Sequence, residues 1–328
     1  MRGDELHRIF SIKNGKEFES LALETFQYQY ENVAVYHEFC NYLGRHPSSV
    51  HSVDDIPFLP ISFFRTHAVI SKNIQPQTTF LSSGTTGSRP SQHFVADIEY
   101  YEKSFLSGFD FFYGKPSDYC ILALLPSYLE RNGSSLVYMA NELIKQSGHV
   151  ESGFYLYDFE KLHQKLSHLR DKKTKIFLIG VSFALLDFVE KYPISLSHCT
   201  VMETGGMKGR KKEMTREELH RRLKDGFGAG RIHSEYGMTE LLSQAYSKGE
   251  GKFYTPPWMK VFIRDTEDPL QLLENEKTGG INVIDLANRY SCSFIATQDL
   301  GKKHADESFE VLGRFDHSDV RGCNLMVL

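Results

Sequence analysis

Cysteine, tryptophan, basic charge and long apolar runs are all scarce in this chain. Its 328 residues hold one Trp and five cysteines, Cys40, Cys120, Cys199, Cys292 and Cys323, none spaced as a CxxC pair. An odd, scattered set of thiols argues against a disulfide framework and against a structural zinc site. The longest apolar runs, such as residues 121–125, fall far short of the roughly 20 residues that cross a bilayer. The opening MRGDELHRIFSIKNG has no signal-peptide core. With a net charge of −4 and one short basic stretch at 208–212, which reads as a solvated loop, a phosphate-neutralising nucleic-acid face is not expected. These absences describe a soluble, cytoplasmic protein of a reducing compartment, with no nucleic-acid partner and no membrane span.

What is present suits a globular core: 41% of residues are hydrophobic and 24% charged. The 24 Phe and 17 Tyr fit a large apolar interior, and equally an apolar substrate pocket. Residues 1–55 read as a helical N-terminal cap, because Phe18, Leu21, Thr25 and Tyr28 recur at helical spacing within 15–43. Ile56-Pro-Phe-Leu-Pro60 reads as a linker. Residues 56–254 read as an α/β core. Apolar strands at 120–125, 153–157, 175–179, 199–203 and 232–236 alternate with helices at 134–146, 159–169, 183–190 and 215–223. That alternation predicts right-handed crossovers and a largely parallel sheet. After Tyr254-Thr-Pro-Pro257 the texture changes to short strands at 260–263, 280–285, 293–297 and 309–313, a β-rich subdomain spanning 255–328.

Three motifs carry chemistry. In Phe80-Leu-Ser-Ser-Gly-Thr-Thr-Gly-Ser-Arg-Pro90, glycines free the backbone to turn its N–H groups toward an anion, hydroxyls add donors, and Arg89 adds a fixed charge. The spacing is not that of a Walker A loop, and the composition equally suits a surface turn. In His233-Ser-Glu-Tyr-Gly-Met-Thr-Glu240, Tyr236 offers a flat face to a base, and Glu240 is a hard oxygen ligand of the kind Mg²⁺ takes. A strand end leading into an ordinary helix would read the same way. The third is Thr297-Gln-Asp-Leu-Gly301 followed by Gly313-Arg-Phe-Asp316. Its acidic residue can accept from ribose hydroxyls and its Arg can reach ribose or phosphate, although two hairpin turns would look alike. The Gly205-Gly206 pair allows close backbone approach, or marks a plain turn.

In this order, Ser-Ser-Gly-Thr-Thr-Gly, Tyr-Gly-Met-Thr-Glu, Asp-Leu-Gly and Gly-Arg-x-Asp resemble the signature of the adenylate-forming superfamily of acyl-CoA synthetases, luciferases and adenylation domains. The ending Gly313-Arg-Phe-Asp-His-Ser-Asp-Val-Arg-Gly-Cys323 is similar to that of the acyl-protein synthetases of bacterial luminescence systems, LuxE-like proteins. The resemblance implies the large N-terminal-type domain of the adenylate-forming fold, with parallel-rich sheets, helices and a β-rich subdomain. It also implies that the mobile C-terminal domain with its catalytic lysine is absent.

The resemblance further implies ATP and Mg²⁺ as cofactors and a carboxylic acid substrate of the fatty-acid class, made into an acyl-adenylate. Ser82, Ser83, Gly84, Thr85, Thr86 and Gly87 would then meet the phosphates, and Gly205 and Gly206 would back the adenine near Tyr236. Asp299 and Arg314 would meet the ribose, Thr239 the α-phosphate, and Glu240 the metal. Cys323 would accept the acyl group for a partner such as an acyl-CoA reductase subunit. The loop departs from the family pattern: it ends Ser-Arg-Pro-Ser, so Arg89 does not inherit the role of the family's loop lysine. For the lysine of the C-terminal domain, Arg314 or Arg321 must compensate, or the metal must do more. Two other outcomes stay open, a small acyl- or aryl-CoA ligase and a non-catalytic nucleotide-binding scaffold.

Overall fold

The computed structural model describes residues 2–82, 89–126, 133–156, 158–205 and 214–315. Helices α1 (Arg2–Phe10), α2 (Gly15–Asn32) and α3 (Ala34–Tyr42) open the chain. The side chain of Asn14 starts α2 by accepting from the Glu17 N–H. The helical stretch expected over 15–43 is divided at Val33, whose extended backbone (φ −105°, ψ 101°) ends α2 and begins α3. Phe26 and Tyr36 both pack their rings against Phe294. The Gln29 amide donates to the carbonyls of Asn288 and Arg289 and to the Ser293 hydroxyl. The N-terminal helices are thus fastened to residues from the far end of the chain.

The expected linker at 56–60 is part of the sheet. Strand β1 (Leu59–Pro60) pairs in parallel with Ile295 and Ala296, and Leu59 is fully buried. Burial of Leu59 decides the outcome, and Pro60 sits at the strand's end, where a missing donor costs little. After α4 (Phe63–Thr66), strands β2 (Thr78–Leu81) and β3 (Gln92–Val95) form a separate antiparallel hairpin. Then comes α5 (Ile98–Tyr113), which burial of Tyr101, Phe105 and Phe109 holds in place and which the sequence reading had missed.

The alternating region follows: β4 (Cys120–Leu124), α6 (Ser135–Ser147), β5 (Gly153–Phe154), α7 (Phe159–Asp171), β6 (Ile176–Val181), α8 (Ser182–Lys191), β7 (Thr200–Thr204), α9 (Arg216–Phe227) and β8 (His233–Tyr236). The strands lie parallel in the order β5-β4-β6-β7-β8. Every residue of β4 and β6 is buried, as helix-covered parallel strands require. From β9 (Ala245–Ser247) the sheet turns antiparallel. It continues through β10 (Lys252–Tyr254), β11 (Met259–Arg264), β12 (Leu272–Leu273), β13 (Thr278–Asp285), β14 (Phe294–Lys303) and β15 (Phe309–Arg314), in the order β9-β10-β15-β14-β13-β11-β12. One mixed sheet of 13 strands therefore runs through both the expected α/β core and the β-rich segment. Among the described residues no helix is long and apolar enough to cross a membrane.

Candidate active site

The parallel set stops at β8, and the chain beyond its carboxyl end, residues 237–244, runs along the seam between the parallel and antiparallel parts. Open α/β sheets bind ligands beyond such strand ends. Three sequence-predicted residues meet at one carboxylate there. The Tyr236 hydroxyl, from β8, donates to Asp299 Oδ2 at 2.8 Å. Arg314 Nε, from β15, donates to Asp299 Oδ1 at 3.2 Å. Antiparallel register sets Asp299 and Arg314 directly opposite each other. Asp299 is nearly buried, while the Arg314 side chain is 78% exposed, so its outer nitrogens face solvent. The Tyr236 ring is 8% exposed and lies edge-on to Phe253 and Phe309. Burial, then the neighbouring Asp299 charge, pushes its hydroxyl well above the usual tyrosine range.

A second cation underlies this cluster. Arg264 is buried on β11 and donates to the carbonyls of Ile281 and Thr297 and to Asn282 Oδ1. Gly280 makes room for it, since a Cβ there would run into the guanidinium. Nothing in the spacing around Arg264 announces this role, which depends on the pairing of β11 with β13.

Thr239 and Glu240 form the turn after β8. Glu240 is 5% exposed, and burial pushes its carboxyl above the ordinary value. The Ser91 hydroxyl and the residue's own N–H favour its charged form, while Arg65 and Arg314 act on it only through space. Among the described residues it makes no salt bridge. A buried carboxylate without a paired cation suits a divalent ion, and Mg²⁺ typically takes one or two carboxylates plus substrate phosphates. Glu240 is a single donor, and no group of three or more His, Cys, Asp or Glu gathers among the described residues, so it fits only a metal whose other ligands are phosphates and water.

The Gly-rich loop joins β2 to β3. Its base is closed by Ser82 N–H donating to the Ser91 carbonyl at 3.1 Å and Ser91 N–H donating to Ser82 Oγ at 2.8 Å. Arg89 is exposed. Ser83, Gly84, Thr85, Thr86, Gly87, Gly206, Arg321 and Cys323 lie outside the described residues. Gly205 follows β7 with a positive φ of 58°, a conformation that favours glycine and that a turn also needs.

Further residues that sequence reasoning missed hold the Glu240 turn. His93 Nδ1 donates to the Thr239 carbonyl at 2.8 Å, and Asn288 Nδ2 donates to the Glu240 carbonyl at 2.8 Å. Asp285 accepts from the N–H groups of Leu242 and Ser243, each at 2.8 Å, from the Ser243 hydroxyl, and from the Ala287 N–H. The same Ser243 hydroxyl meets Trp258 Nε1 and the Ser104 hydroxyl.

Comparison with known proteins gives a coherent result. The model of the family described as acyl-protein synthetase, LuxE, matches residues 10–328. The chain belongs to that family. A long-chain-fatty-acid–luciferin-component ligase of Vibrio harveyi is 24% identical, over 96% of this chain and 89% of its own. Among solved structures, an open conformation of 2-hydroxyisobutyryl-CoA ligase in complex with 2-HIB-AMP and CoA matches with TM-score 0.67 and 13% identity. That match covers 92% of this chain and 70% of the other. ATP-bound MatB from Rhodopseudomonas palustris matches with TM-score 0.56 and 15% identity, over 72% of this chain. The match spans about half of MatB, 47%. At these identities the structures establish a shared fold, that of the adenylate-forming ligases.

Proposed function

We propose that this chain uses ATP and Mg²⁺ to activate a long-chain fatty acid as its acyl-adenylate and then carries the acyl group as a thioester on Cys323. The observation that carries the reading is the Asp299 carboxylate. It gathers Tyr236 and Arg314, from motifs far apart in sequence, at the seam beside the Glu240 turn. The fatty acid is the substrate class named for the Vibrio harveyi relative.

In this reading Asp299 accepts from the ribose hydroxyls, exchanging its Tyr236 partner for the sugar. The exposed end of Arg314 reaches the phosphates. Ser82, with Ser83, Gly84, Thr85, Thr86 and Gly87, cradles the β- and γ-phosphates, while Gly205 and Gly206 back the base. Glu240 holds the metal, whose chemistry is to neutralise charge on the phosphate oxygens, and Thr239 adjoins the α-phosphate. A carboxylate oxygen of the acid attacks the α-phosphorus, and the bond to pyrophosphate breaks as the mixed anhydride forms. The protein's contribution is positioning and charge stabilisation. The Cys323 thiolate then adds to the acyl carbonyl, AMP leaves, and the thiol proton passes to solvent.

The other four thiols are poor candidates for acceptor. Burial pushes Cys40 up to about 12, Cys120 and Cys199 each to about 11, and Cys292 higher still. A thiol must ionise to act as a nucleophile. The finished thioester would pass to a cytoplasmic partner of the acyl-CoA reductase class.

The test is acid-dependent ATP–pyrophosphate exchange across a series of fatty acids, followed by hydroxylamine-sensitive acyl labelling with and without coenzyme A. Cys323→Ser keeps exchange and loses the label. Label that stays on that variant, or maps to Cys292, overturns the thioester assignment. Exchange that no carboxylic acid stimulates overturns the activation step.

A further inference from the structure

The sequence of the Glu240 turn does not say what sets its position; the structure does. Its two central carbonyls are each held by a side chain from a distant segment. On one side, buried residues alternate along the chain entering β3: Ser91, His93 and Val95 face inward. Ser91 closes the base of the Gly-rich loop with Ser82 and places its hydroxyl on the Glu240 carboxylate. Two residues on, His93 donates from Nδ1 to the Thr239 carbonyl. A carbonyl can only accept, so Nδ1 carries a proton, and since burial holds the ring neutral, Nε2 carries a lone pair. On the other side, Asn288, in the turn after β13, donates to the Glu240 carbonyl.

Both side chains are fully or almost fully buried, and both leave an acceptor without a hydrogen-bond partner among the described residues: His93 Nε2 and Asn288 Oδ1. They line one small cleft together with Tyr100, Leu242 and Tyr290. Burying an acceptor without a partner costs stability, and an apolar residue of like size would avoid that cost. Two such costs, both at residues that grip the same turn, are hard to explain as packing.

We propose that His93 and Asn288 are positioning residues. They fix the Thr239–Glu240 turn through its main-chain carbonyls and so set the distance between the Glu240 carboxylate and the Ser82–Ser91 closure of the phosphate loop. The inference rests on the metal role given to Glu240 above. Neither residue touches nucleotide or metal; each acts through the turn. The consequence is a coupling: when the hairpin β2–β3 shifts, Glu240 shifts with it.

The experiment measures nucleotide binding to the full chain by thermal shift with ATP, at a series of Mg²⁺ concentrations and in EDTA. ATP–pyrophosphate exchange is run in parallel. His93→Leu and Asn288→Leu each raise the Mg²⁺ concentration for half-maximal nucleotide binding about tenfold, the scale of one lost hydrogen bond. Melting temperature without ligand stays near wild type, because each change also removes an orphaned acceptor. His93→Asn, whose amide keeps a donor near the Nδ1 position, recovers most of the Mg²⁺ dependence. Wild-type Mg²⁺ dependence in His93→Leu overturns the proposal, as does an Asn variant no better than the Leu variant. So does nucleotide binding by the wild type that ignores Mg²⁺. Normal Mg²⁺-dependent binding without acid-stimulated exchange would overturn the activation reading and leave the positioning result standing.

Discussion

Two neighbouring regions each bury a carboxylate, and they treat it in opposite ways. In the node around Asp285, the carboxylate is fully buried and accepts from three N–H groups and one hydroxyl. In the turn around Glu240, a carboxylate with similar burial makes no salt bridge among the described residues and has the Ser91 hydroxyl as its side-chain donor. Burial pushes both groups upward. Asp285 is stabilised by donors already in place, so its work is architectural: it ties residues 242–243 to the end of β13. Glu240 has fewer donors, the Ser91 hydroxyl and its own N–H, and in the reading proposed above a metal would answer the rest of its charge.

The first way to break the comparison is to remove the satisfied carboxylate. Asp285→Ala strands several buried donors at once, so unfolding free energy should fall by roughly 4 kcal/mol. Urea denaturation measures it. A variant as stable as wild type but inactive would move Asp285 into the site and erase the distinction. The second is to neutralise the unsatisfied one. Glu240→Gln should cut acid-dependent pyrophosphate exchange about 100-fold or more. The melting temperature should hold or rise, because a buried, unpaired charge is gone. Near-normal exchange would remove Glu240 from the metal site.

The sequence resolved these regions unequally, for physical reasons. Strands β4 and β6 are buried on both faces, so their apolar runs were legible to within a residue or two. The break at Val33 was not, because no Gly or Pro marks it. Helix α5 was missed because its Tyr- and Phe-rich stretch has modest helix propensity; the cap at Asp97 was the available signal. In the site, Tyr236, Asp299 and Arg314 stood out because their motifs have recognisable order. His93, Asn288 and Asp285 act by bonding main-chain groups 146, 48 and 42–43 residues away in sequence. Such contacts have no periodicity and no composition, so only the assembled fold displays them.

A smaller effect separates the exposed side of the site from the buried one. Arg314 is 78% exposed, so Arg314→Ala should change stability little while raising the KM for ATP about tenfold through lost phosphate and Asp299 contacts. Steady-state exchange kinetics and a melting curve check both halves. A large loss of stability with unchanged KM would place Arg314 with Asp285, among the residues that build the site without meeting the ligand.

The smallest effect is a pH dependence at the turn itself. Burial holds His93 down at about 4, against an ordinary histidine value of 6.5. The unfolded chain therefore binds a proton at this residue as pH falls through 6.5, while the folded chain stays neutral until about 4. The unfolded state binds more protons across that window, so the stability contributed by neutral His93 is present above pH 6.5 and is lost on acidification. Glu240, just beyond the Thr239 carbonyl that His93 holds, and Asp285 act in the opposite sense. Their folded carboxyls sit above the ordinary range, so they take up protons first in the folded state and add stability as pH falls through that raised range. Between pH 7 and 5.5 the His93 share of the loss is about 1 kcal/mol. Urea denaturation of wild type and His93→Leu at the two pH values isolates it. The variant's stability should fall less by about that amount. An identical fall in both proteins would mean that His93 titrates alike in the folded and unfolded chain, and a smaller fall in wild type than in the variant would mean that the folded ring keeps its proton and grips the Thr239 carbonyl as a cation.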